Sequence, residues 1–181
     1  MPRAFSRNAA HRACLLALGA TLSTATTALA QDALTIELKN VDGATVGEVT
    51  LTPAADGVLI DATLDGLSAG PHAFHLHERA DCDPATGFKS AGGHIAGERE
   101  HGFLVTDGPH PGDMPNVHVP ESGKLRVEVY NGRVSLGESG AGGLLDADGS
   151  ALLLHVGADD YTSQSAGDAG ERVACAEIGG S

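Results

Sequence analysis

Apolar and polar residues alternate along the first part of the chain with the two-residue period of β-strands. In the earliest run, Leu34, Ile36 and Leu38 alternate with polar side chains. Segments rich in Gly, Asp and Pro separate successive runs, and no window of ten or more residues has the spacing of an amphipathic helix. The apolar runs cover residues 34–38, 46–51, 58–64, 74–77, 116–119, 125–130, 151–156 and 172–176. This pattern predicts an all-β fold of about eight strands, arranged as a sandwich or barrel.

Two long segments without strand pattern interrupt these runs, at residues 77–114 and 157–171. Both are rich in Gly and Asp. Segments of this length inside a compact domain are functional loops or disordered. Because no linker-like stretch separates the runs on either side, we expect one domain over residues 31–181 that carries two long functional loops.

The first thirty residues have the pattern of a secretory signal peptide. Arg3, Arg7 and Arg12 precede an uncharged stretch at residues 13–20, and a segment of Ser, Thr and Ala leads up to Ala30. This order predicts removal of residues 1–30 by cleavage after Ala30 and export to the periplasm. The alternative is a membrane anchor, but the second half of the segment is rich in Thr and Ser and poorly apolar. We therefore expect no membrane anchor after cleavage.

The acidic composition argues against one class of partner. The chain has 11 Lys and Arg residues against 24 Asp and Glu residues, which gives a formal net charge of −13. Loss of the three N-terminal arginines would change this charge to −16. Because such a surface repels phosphate backbones, nucleic acid is not an expected partner.

The cysteine count fits an exported protein. One of the three cysteines, Cys14, lies in the predicted signal peptide. The remaining pair, Cys82 and Cys175, predicts one disulfide bond. The alternative is a pair of metal-binding thiolates, but neither residue has a second cysteine nearby in a C-x-x-C spacing.

Histidine is the residue type that points to chemistry, with eight copies after residue 30. His75 and His77 are two residues apart in a predicted strand, so both imidazoles lie on one face and can reach one metal ion. His155 lies in an apolar strand, where an imidazole is costly to bury without a metal or a hydrogen-bond partner. His72 and His118 are expected to be solvated.

The first long loop adds further candidate ligands: His94, His101, His110 and Asp113. Imidazole suits copper and zinc, and an added carboxylate is acceptable to zinc. More than four such groups indicate two metal ions, or one metal ion together with spare surface histidines.

Several motifs resemble those of the copper/zinc superoxide dismutases and follow that family's order over essentially the whole mature chain. The similar segments are residues 70–78 (GPHAFHLHE, first copper ligands), 90–94 (SAGGH, bridging histidine), 101–102 and 108–116 (HG and GPHPGDMPN, zinc loop), 154–160 (LHVGADD, last copper ligand and its loop) and 167–175 (GDAGERVAC, active-site arginine and second cysteine). The resemblance implies an eight-stranded antiparallel Greek-key barrel or sandwich.

The resemblance also implies one copper and one zinc ion per chain. The implied copper ligands are His75, His77, His94 and His155. The implied zinc ligands are His94, His101, His110 and Asp113, so that His94 bridges both ions as an imidazolate. Asp159 would link a copper-ligand histidine to a zinc-ligand histidine, and Cys82 would pair with Cys175.

The implied reaction is the dismutation of superoxide, the expected substrate, to oxygen and hydrogen peroxide. The resemblance implies that the bond between His94 and copper is released, and the ring protonated, as copper is reduced. Arg172 would sit beside the copper and attract and orient the anion. Residues 157–171 contain no Lys or Arg, so Lys89 and Arg99 are candidates to supplement this attraction. A monomer or a homodimer is expected.

Two other functions compete with this interpretation. The first is a non-catalytic module of the same fold that sequesters copper or zinc; Arg172 argues against it, because storage needs no cation that orients an anion. The second is a copper-only dismutase with a degenerate zinc site. The spacing from His94 to His101 is one residue shorter than the family pattern suggests, which keeps this second alternative open, while the presence of His101, His110 and Asp113 argues against it.

Overall fold

The computed structural model describes residues 32–138 and 142–180. The predicted signal peptide, residues 1–30, and its cleavage site after Ala30 lie outside the described residues. Nine strands form in the described part of the chain: β1 Leu34–Asn40, β2 Thr45–Ala54, β3 Gly57–Leu64, β4 Gly70–His72, β5 Phe74–His77, β6 Val117–Val119, β7 Leu125–Asn131, β8 Ser150–His155 and β9 Arg172–Ile178. The only helical segments in that part are two short 3₁₀ turns, Pro84–Thr86 and Lys89–Ala91. The predicted all-β fold is confirmed.

The strands pair antiparallel throughout. Seven of them form one sheet in the order β5-β8-β9-β1-β2-β3-β7, and β4 pairs with β6 in a separate small sheet. The large sheet curls into a half-barrel. Each of the eight predicted runs corresponds to one strand of the structure, and β4 is the additional strand.

Strand β4 lies where the sequence pattern predicts a turn, and Ala73 separates it from β5. The N–H of Ala73 donates to the carbonyl of Gly157 at 2.8 Å, and its carbonyl accepts from the N–H of His155 at 3.0 Å. These contacts let β4 pair with β6 while β5 joins β8 in the large sheet. They also hold the start of the second long loop against the beginning of β5.

The main core is built from alternate residues of the large sheet. In β3, Val58, Ile60, Ala62 and Leu64 are all buried, and the residues between them, Leu59, Asp61 and Thr63, are more exposed. Strand β8 differs because all six of its residues are buried. A fully buried strand has no polar face, which explains its continuous apolar sequence.

The two faces of β8 contact different clusters. Leu152 and Leu154 belong to the main core, whereas Leu153 packs in a smaller cluster with Phe88 and Cys175. Cys175 is bonded to Cys82, which confirms the predicted disulfide. The bond closes a sequence separation of 93 residues, for which a stabilisation of about 2–4 kcal/mol is typical.

Both predicted long loops are present. The first runs from the end of β5 to β6 with only the two 3₁₀ turns inside it, and the second runs from the end of β8 to β9. Neither of the helical segments among residues 32–138 and 142–180 is long and apolar enough to cross a membrane. The two loops meet over β5 and β8, where the candidate metal ligands lie.

Candidate metal centre

Strand β5 presents two buried histidines on the side facing away from its core residues. The Nδ1–H of His77 donates to the carbonyl of Gly92 at 3.0 Å, and the Nε2–H of His75 donates to Oδ2 of Asp159 at 2.9 Å. Each neutral ring therefore keeps one lone pair, on Nε2 of His77 and on Nδ1 of His75. Both atoms are buried and have no hydrogen-bond partner.

The backbone of Leu76 holds the first long loop against β5. Its N–H donates to the carbonyl of Gly112 at 2.9 Å, and its carbonyl accepts from the N–H of Ile95 at 3.0 Å. A Cβ at position 112 would lie 2.3 Å from the carbonyl oxygen of Leu76, so only glycine allows this approach. Two isolated bridges result, His75 with Asp113 and His77 with His94.

A register shift at the end of β8 places His155. The shift falls between Leu154 and His155, and it leaves His155 opposite Arg172 of β9. The Nδ1–H of His155 donates to the carbonyl of Gly170 at 3.1 Å, so its lone pair lies on Nε2, which is buried and unpartnered. The structure thus brings together the four predicted copper ligands, with one ring nitrogen from each lying within 4.8 Å of the other three: His75, His77, His94 and His155.

The second cluster is centred on one carboxylate oxygen. Oδ1 of Asp113 lies 2.9 Å from Nδ1 of His94, 3.0 Å from Nδ1 of His101 and 3.4 Å from Nδ1 of His110. Ligands of a tetrahedral zinc ion, each about 2.0–2.1 Å from the metal, are separated by about 3.3 Å. The four predicted zinc ligands are therefore brought to separations that suit one zinc ion, despite the short segment between His94 and His101.

The ring of His101 lies between two carboxylates. Its Nε2 is 3.0 Å from Oδ1 of Asp159, and its Nδ1 is 3.0 Å from Oδ1 of Asp113. With the Nε2–H donated to Asp159, the lone pair on Nδ1 and the oxygen of Asp113 can bind one cation together, so the donor set fits zinc.

Burial keeps three of the copper-side rings neutral, those of His75, His77 and His155. It lowers the pKa of His75 to about 4, with the hydrogen bond to Asp159 opposing the shift, and it lowers the pKa of His155 to about 3. Burial also holds the pKa of His77 well below its ordinary value. Because metal binding requires deprotonated ligands, these rings are ready to bind copper at neutral pH.

The carboxylate of Asp113 is held in its charged form. Burial alone would raise its pKa, but the hydrogen bond from His94 and the one from the N–H of Gly102 outweigh burial and hold the pKa well below the usual range. Its second oxygen, Oδ2, accepts from the N–H of Gly102 and from the N–H of His110, both at 2.9 Å. These bonds fix the direction in which Oδ1 points.

Asp159 contacts one ring of each cluster. Its two oxygens accept from Nε2–H of His75 and Nε2–H of His101, one ring from each cluster. The backbone of Asp159 is itself clamped by the side chain of Asn116, whose Oδ1 accepts at 2.8 Å and whose Nδ2 donates at 2.9 Å. The sequence motifs gave Asn116 no role, because nothing local marks an amide that binds backbone 43 residues away.

Arg172 lies next to the copper-side cluster. Its Nη1 donates to the carbonyl of Phe88 and its Nη2 to the carbonyl of Gly92, both at 2.6 Å. The carbonyl of Gly92 also accepts from His77, so one oxygen joins the arginine to a predicted copper ligand. Burial lowers the pKa of Arg172, with Glu78 opposing, and the guanidinium remains charged at neutral pH.

The two other candidate cations lie in different settings. Lys89 is exposed and lines, together with Arg172, a cavity of about 370 Å³. Arg99 instead donates from Nε to the carbonyl of Pro109 at 2.7 Å and from Nη2 to the carbonyl of Gly108. Its guanidinium holds the backbone just before His110, and Arg99 does not line the cavity that Lys89 and Arg172 share.

One expectation about the remaining histidines is wrong. His118 is exposed as expected, but His72 is 2% exposed. The ring of His72 lies 2.7 Å from the carbonyl of His155, through Nδ1, and 2.8 Å from the carbonyl of Ser68, through Nε2. The sequence pattern misplaces His72 because the pattern does not predict β4.

Comparisons with known proteins agree with this geometry. Residues 45–178 match the family model described as copper/zinc superoxide dismutase. A protein named superoxide dismutase [Cu-Zn] from Caulobacter vibrioides is 45% identical over 149 residues, covering 80% of this chain and 84% of the relative. The protein named superoxide dismutase [Cu-Zn] 2 from Aquifex aeolicus is 44% identical over 144 residues, covering 78% of this chain and 84% of the relative.

Solved structures give the same result for the fold. A double mutant of a superoxide-dismutase-like protein from Bacillus subtilis superposes with a TM-score of 0.76 at 35% identity, covering 81% of this chain and 97% of the other. The copper/zinc superoxide dismutase of Brucella abortus superposes with a TM-score of 0.65 at 26% identity, covering 81% of this chain and 99% of the other.

Proposed function

The chain belongs to the copper/zinc superoxide dismutase family, and from this premise we propose how its own residues carry out the reaction. As an enzyme of this family it uses copper and zinc and acts on superoxide. In the balanced reaction, two superoxide ions and two protons become one oxygen molecule and one hydrogen peroxide molecule. When bound, copper supplies the one-electron oxidation and reduction, and zinc supplies fixed positive charge.

The observation that carries the proposal is the position of His94 between the two clusters. Its Nδ1 lies 2.9 Å from the Oδ1 of Asp113 on the zinc side, and its Nε2 is buried and unpartnered on the copper side. We assign His94 as the ligand shared by both metals. When Nε2 of His94 is not bound to copper, it would hold one of the two protons of the reaction and pass it to the peroxide, since this atom has no hydrogen-bond partner among the described residues.

The other copper-side rings bind the metal in fixed orientations. His75, His77 and His155 each donate one N–H to an oxygen of the protein, which sets the tautomer and directs the second nitrogen to the metal. Zinc is held by His94, His101, His110 and Asp113. Asp159 couples the two sites, since it holds one ring on each side.

Arg172 attracts and orients superoxide beside the copper ligands. A guanidinium fixed by two carbonyl oxygens stays where the anion must bind, and it requires no reorganisation when the anion arrives. Lys89 is the further cation of this approach, because it lines the same cavity as Arg172. In a chain of net charge −13, these two cations provide local attraction against a repulsive surface.

Export of the enzyme is part of the proposal. The disulfide between Cys82 and Cys175 suits an oxidising compartment. We propose that residues 1–30 direct the chain to the periplasm and are removed after Ala30, so that residues 31–181 act without a membrane anchor, as a monomer or a homodimer. Mass spectrometry of the exported protein tests the cleavage site, and sedimentation velocity tests the assembly.

Pulse radiolysis of the mature protein loaded with copper and zinc tests the activity. A second-order rate for superoxide decay near the diffusional ceiling of about 10⁸–10⁹ M⁻¹s⁻¹, which superoxide dismutases are known to approach, supports the proposal. The matched control is the same protein with zinc but without copper. Equal rates for the two preparations would leave a non-catalytic module that sequesters metal.

A further inference from the structure

The side chain of Gln164 binds both backbone groups of His101. The N–H of His101 donates to Oε1 of Gln164 at 2.9 Å, and Nε2 of Gln164 donates to the carbonyl of His101 at 2.9 Å. The amide thus forms the pair of bonds that a neighbouring β-strand would form. Nε2 also donates to the carbonyl of Thr162 at 3.2 Å, which steadies the side chain in this position.

His101 needs such a partner because it has no regular secondary structure around it. Residues 92–116 contain neither a strand nor a 3₁₀ helix, and His101 is nevertheless fully buried. A buried backbone N–H or carbonyl without a hydrogen-bond partner is costly. Gln164 meets this requirement from the second long loop, 63 residues away in sequence.

The second long loop therefore holds both the ring and the backbone of His101. Asp159 accepts from the ring at Nε2, and Gln164 binds the backbone from which the ring extends. A third contact lies next to them, where the N–H of Leu104 donates to the carbonyl of Tyr161 at 3.2 Å. With ring and backbone both fixed, Nδ1 of His101 stays 3.0 Å from Oδ1 of Asp113.

We propose that Gln164 is a positioning residue for the zinc site: it holds the backbone of His101 so that Nδ1 reaches the metal. This inference rests on the proposed role of His101 as a zinc ligand. Among the described residues, Gln164 forms no hydrogen bond to a candidate ligand atom or to a copper-side ring. Its effect is therefore expected first on the binding of zinc.

Three variants of the full mature enzyme test whether the role of Gln164 depends on the length of its side chain or on its hydrogen-bonding groups. Gln164→Met keeps a side chain of similar length and removes both hydrogen bonds. Gln164→Asn keeps the amide but is one methylene shorter, so that it cannot span both groups of His101. Ser165→Ala is the matched control, because Ser165 is the adjacent exposed residue of the same loop.

Zinc release to a chromophoric chelator is the primary measurement. Loss of both hydrogen bonds to His101 is expected to speed zinc release about tenfold in Gln164→Met, and loss of one of them is expected to give a smaller increase, about threefold, in Gln164→Asn. In the same variants, amide exchange at His101 should become faster, and the visible spectrum of cobalt bound in place of zinc should shift. The copper(II) spectrum and the Ser165→Ala variant should match the parent.

The outcomes distinguish this inference from the proposed function. Zinc release from Gln164→Met within about twofold of the parent would overturn the positioning role. The His101→Ala variant supplies the second arm: if it loses zinc while Gln164→Met does not, only the role of Gln164 fails. If His101→Ala keeps zinc as tightly as the parent, the ligand assignment fails and the inference fails with it.

Discussion

His77 and Arg172 donate to the same oxygen, the carbonyl of Gly92, at 3.0 Å and 2.6 Å. The first bond orients a copper-side ring and the second holds the cation proposed to orient superoxide. Because the two donors share an acceptor, movement of residue 92 changes both the metal site and the anion site. The segment that carries Gly92 is attached to the sheet through the disulfide of Cys82 and through the backbone contacts of β5.

Replacing Arg172 with alanine should slow the enzyme while leaving both metals in place. The expected loss in the second-order rate is about tenfold or more, together with a weaker dependence on ionic strength, because a fixed cation no longer attracts the anion. Pulse radiolysis across a salt series, with metal analysis of the same samples, measures this. Arg172→Lys keeps the charge but cannot bind two carbonyls at once, so an intermediate rate is expected. A parental rate and salt response in Arg172→Ala would refute the role of Arg172.

Replacing His155 with alanine should abolish copper-dependent activity and leave zinc bound. His155 supplies one of four nitrogen atoms on the copper side and takes no part in the zinc-side cluster. Elemental analysis after dialysis, combined with an activity assay, checks both parts of this expectation. His118→Ala is the matched control, since His118 is exposed on β6. Turnover equal to the parent would remove His155 from the site.

Asp159→Ala should weaken both metal sites together. Alanine removes both acceptor oxygens, so neither the ring of His75 nor the ring of His101 keeps its outer hydrogen bond. Loss of such an outer hydrogen bond lowers metal affinity by about 10–100-fold. Competition titrations for copper and for zinc measure the change. Asp160→Ala is the control, because the side chain of Asp160 binds only Thr162 and Ser163 of its own turn; a loss confined to one metal would contradict the coupling.

Gly167→Ala tests how closely the second long loop packs against Asp159 and the ring of His101. A Cβ at position 167 would lie 1.8 Å from Oδ1 of Asp159 and 2.8 Å from Nε2 of His101, and φ is +67°. Gly43 has a similar φ of +78° but no atom within 4 Å of its Cβ position, so Gly43→Ala measures backbone strain alone. Gly43→Ala should cost about 1–2 kcal/mol of unfolding free energy and keep both metals. Gly167→Ala should in addition lower the affinity for both metals, and parental affinities in that variant would contradict the contact.

Removing the disulfide should reduce both stability and activity. The double variant Cys82→Ser with Cys175→Ser is expected to lose about 2–4 kcal/mol of unfolding free energy, because the unfolded chain is no longer cross-linked. Urea unfolding of metal-free protein measures this loss without a contribution from bound metal. Activity should fall as well, since both carbonyls that hold Arg172 lie in residues 82–92. If the double variant equals the oxidised parent in both stability and activity, the disulfide contributes to neither.

Much of the site was predictable from local pattern. The period-two spacing of His75 and His77 on a strand puts both rings on one face wherever the strand lies in the fold. The isolated His155 in an apolar run already implies a partner, because an unpaired buried imidazole is costly. The spacing of the loop histidines alone is compatible with two metal ions, or with one metal ion and spare surface histidines. The family resemblance added the division of these histidines between a copper site and a zinc site.

Other features depended on contacts that no local pattern records. His72 is buried because β4 pairs with β6, and β4 forms because Ala73 bonds to residues more than 80 positions away. Arg99 was a candidate for attracting the anion, yet its guanidinium binds carbonyls next to His110 and does not line the cavity of Lys89 and Arg172.

The sequence by itself thus determined eight of the nine described strands, the ligand types and the cysteine pair, since these follow from side-chain chemistry and from the period of the backbone. The tertiary structure decided the pairing of β4, which nitrogen of each copper-side histidine is free, how Asp159 and Gln164 hold His101, and which cations line one cavity. The physical reason is that a hydrogen bond depends on the direction and distance between two groups, and here those groups are brought together only when both long loops fold over β5 and β8.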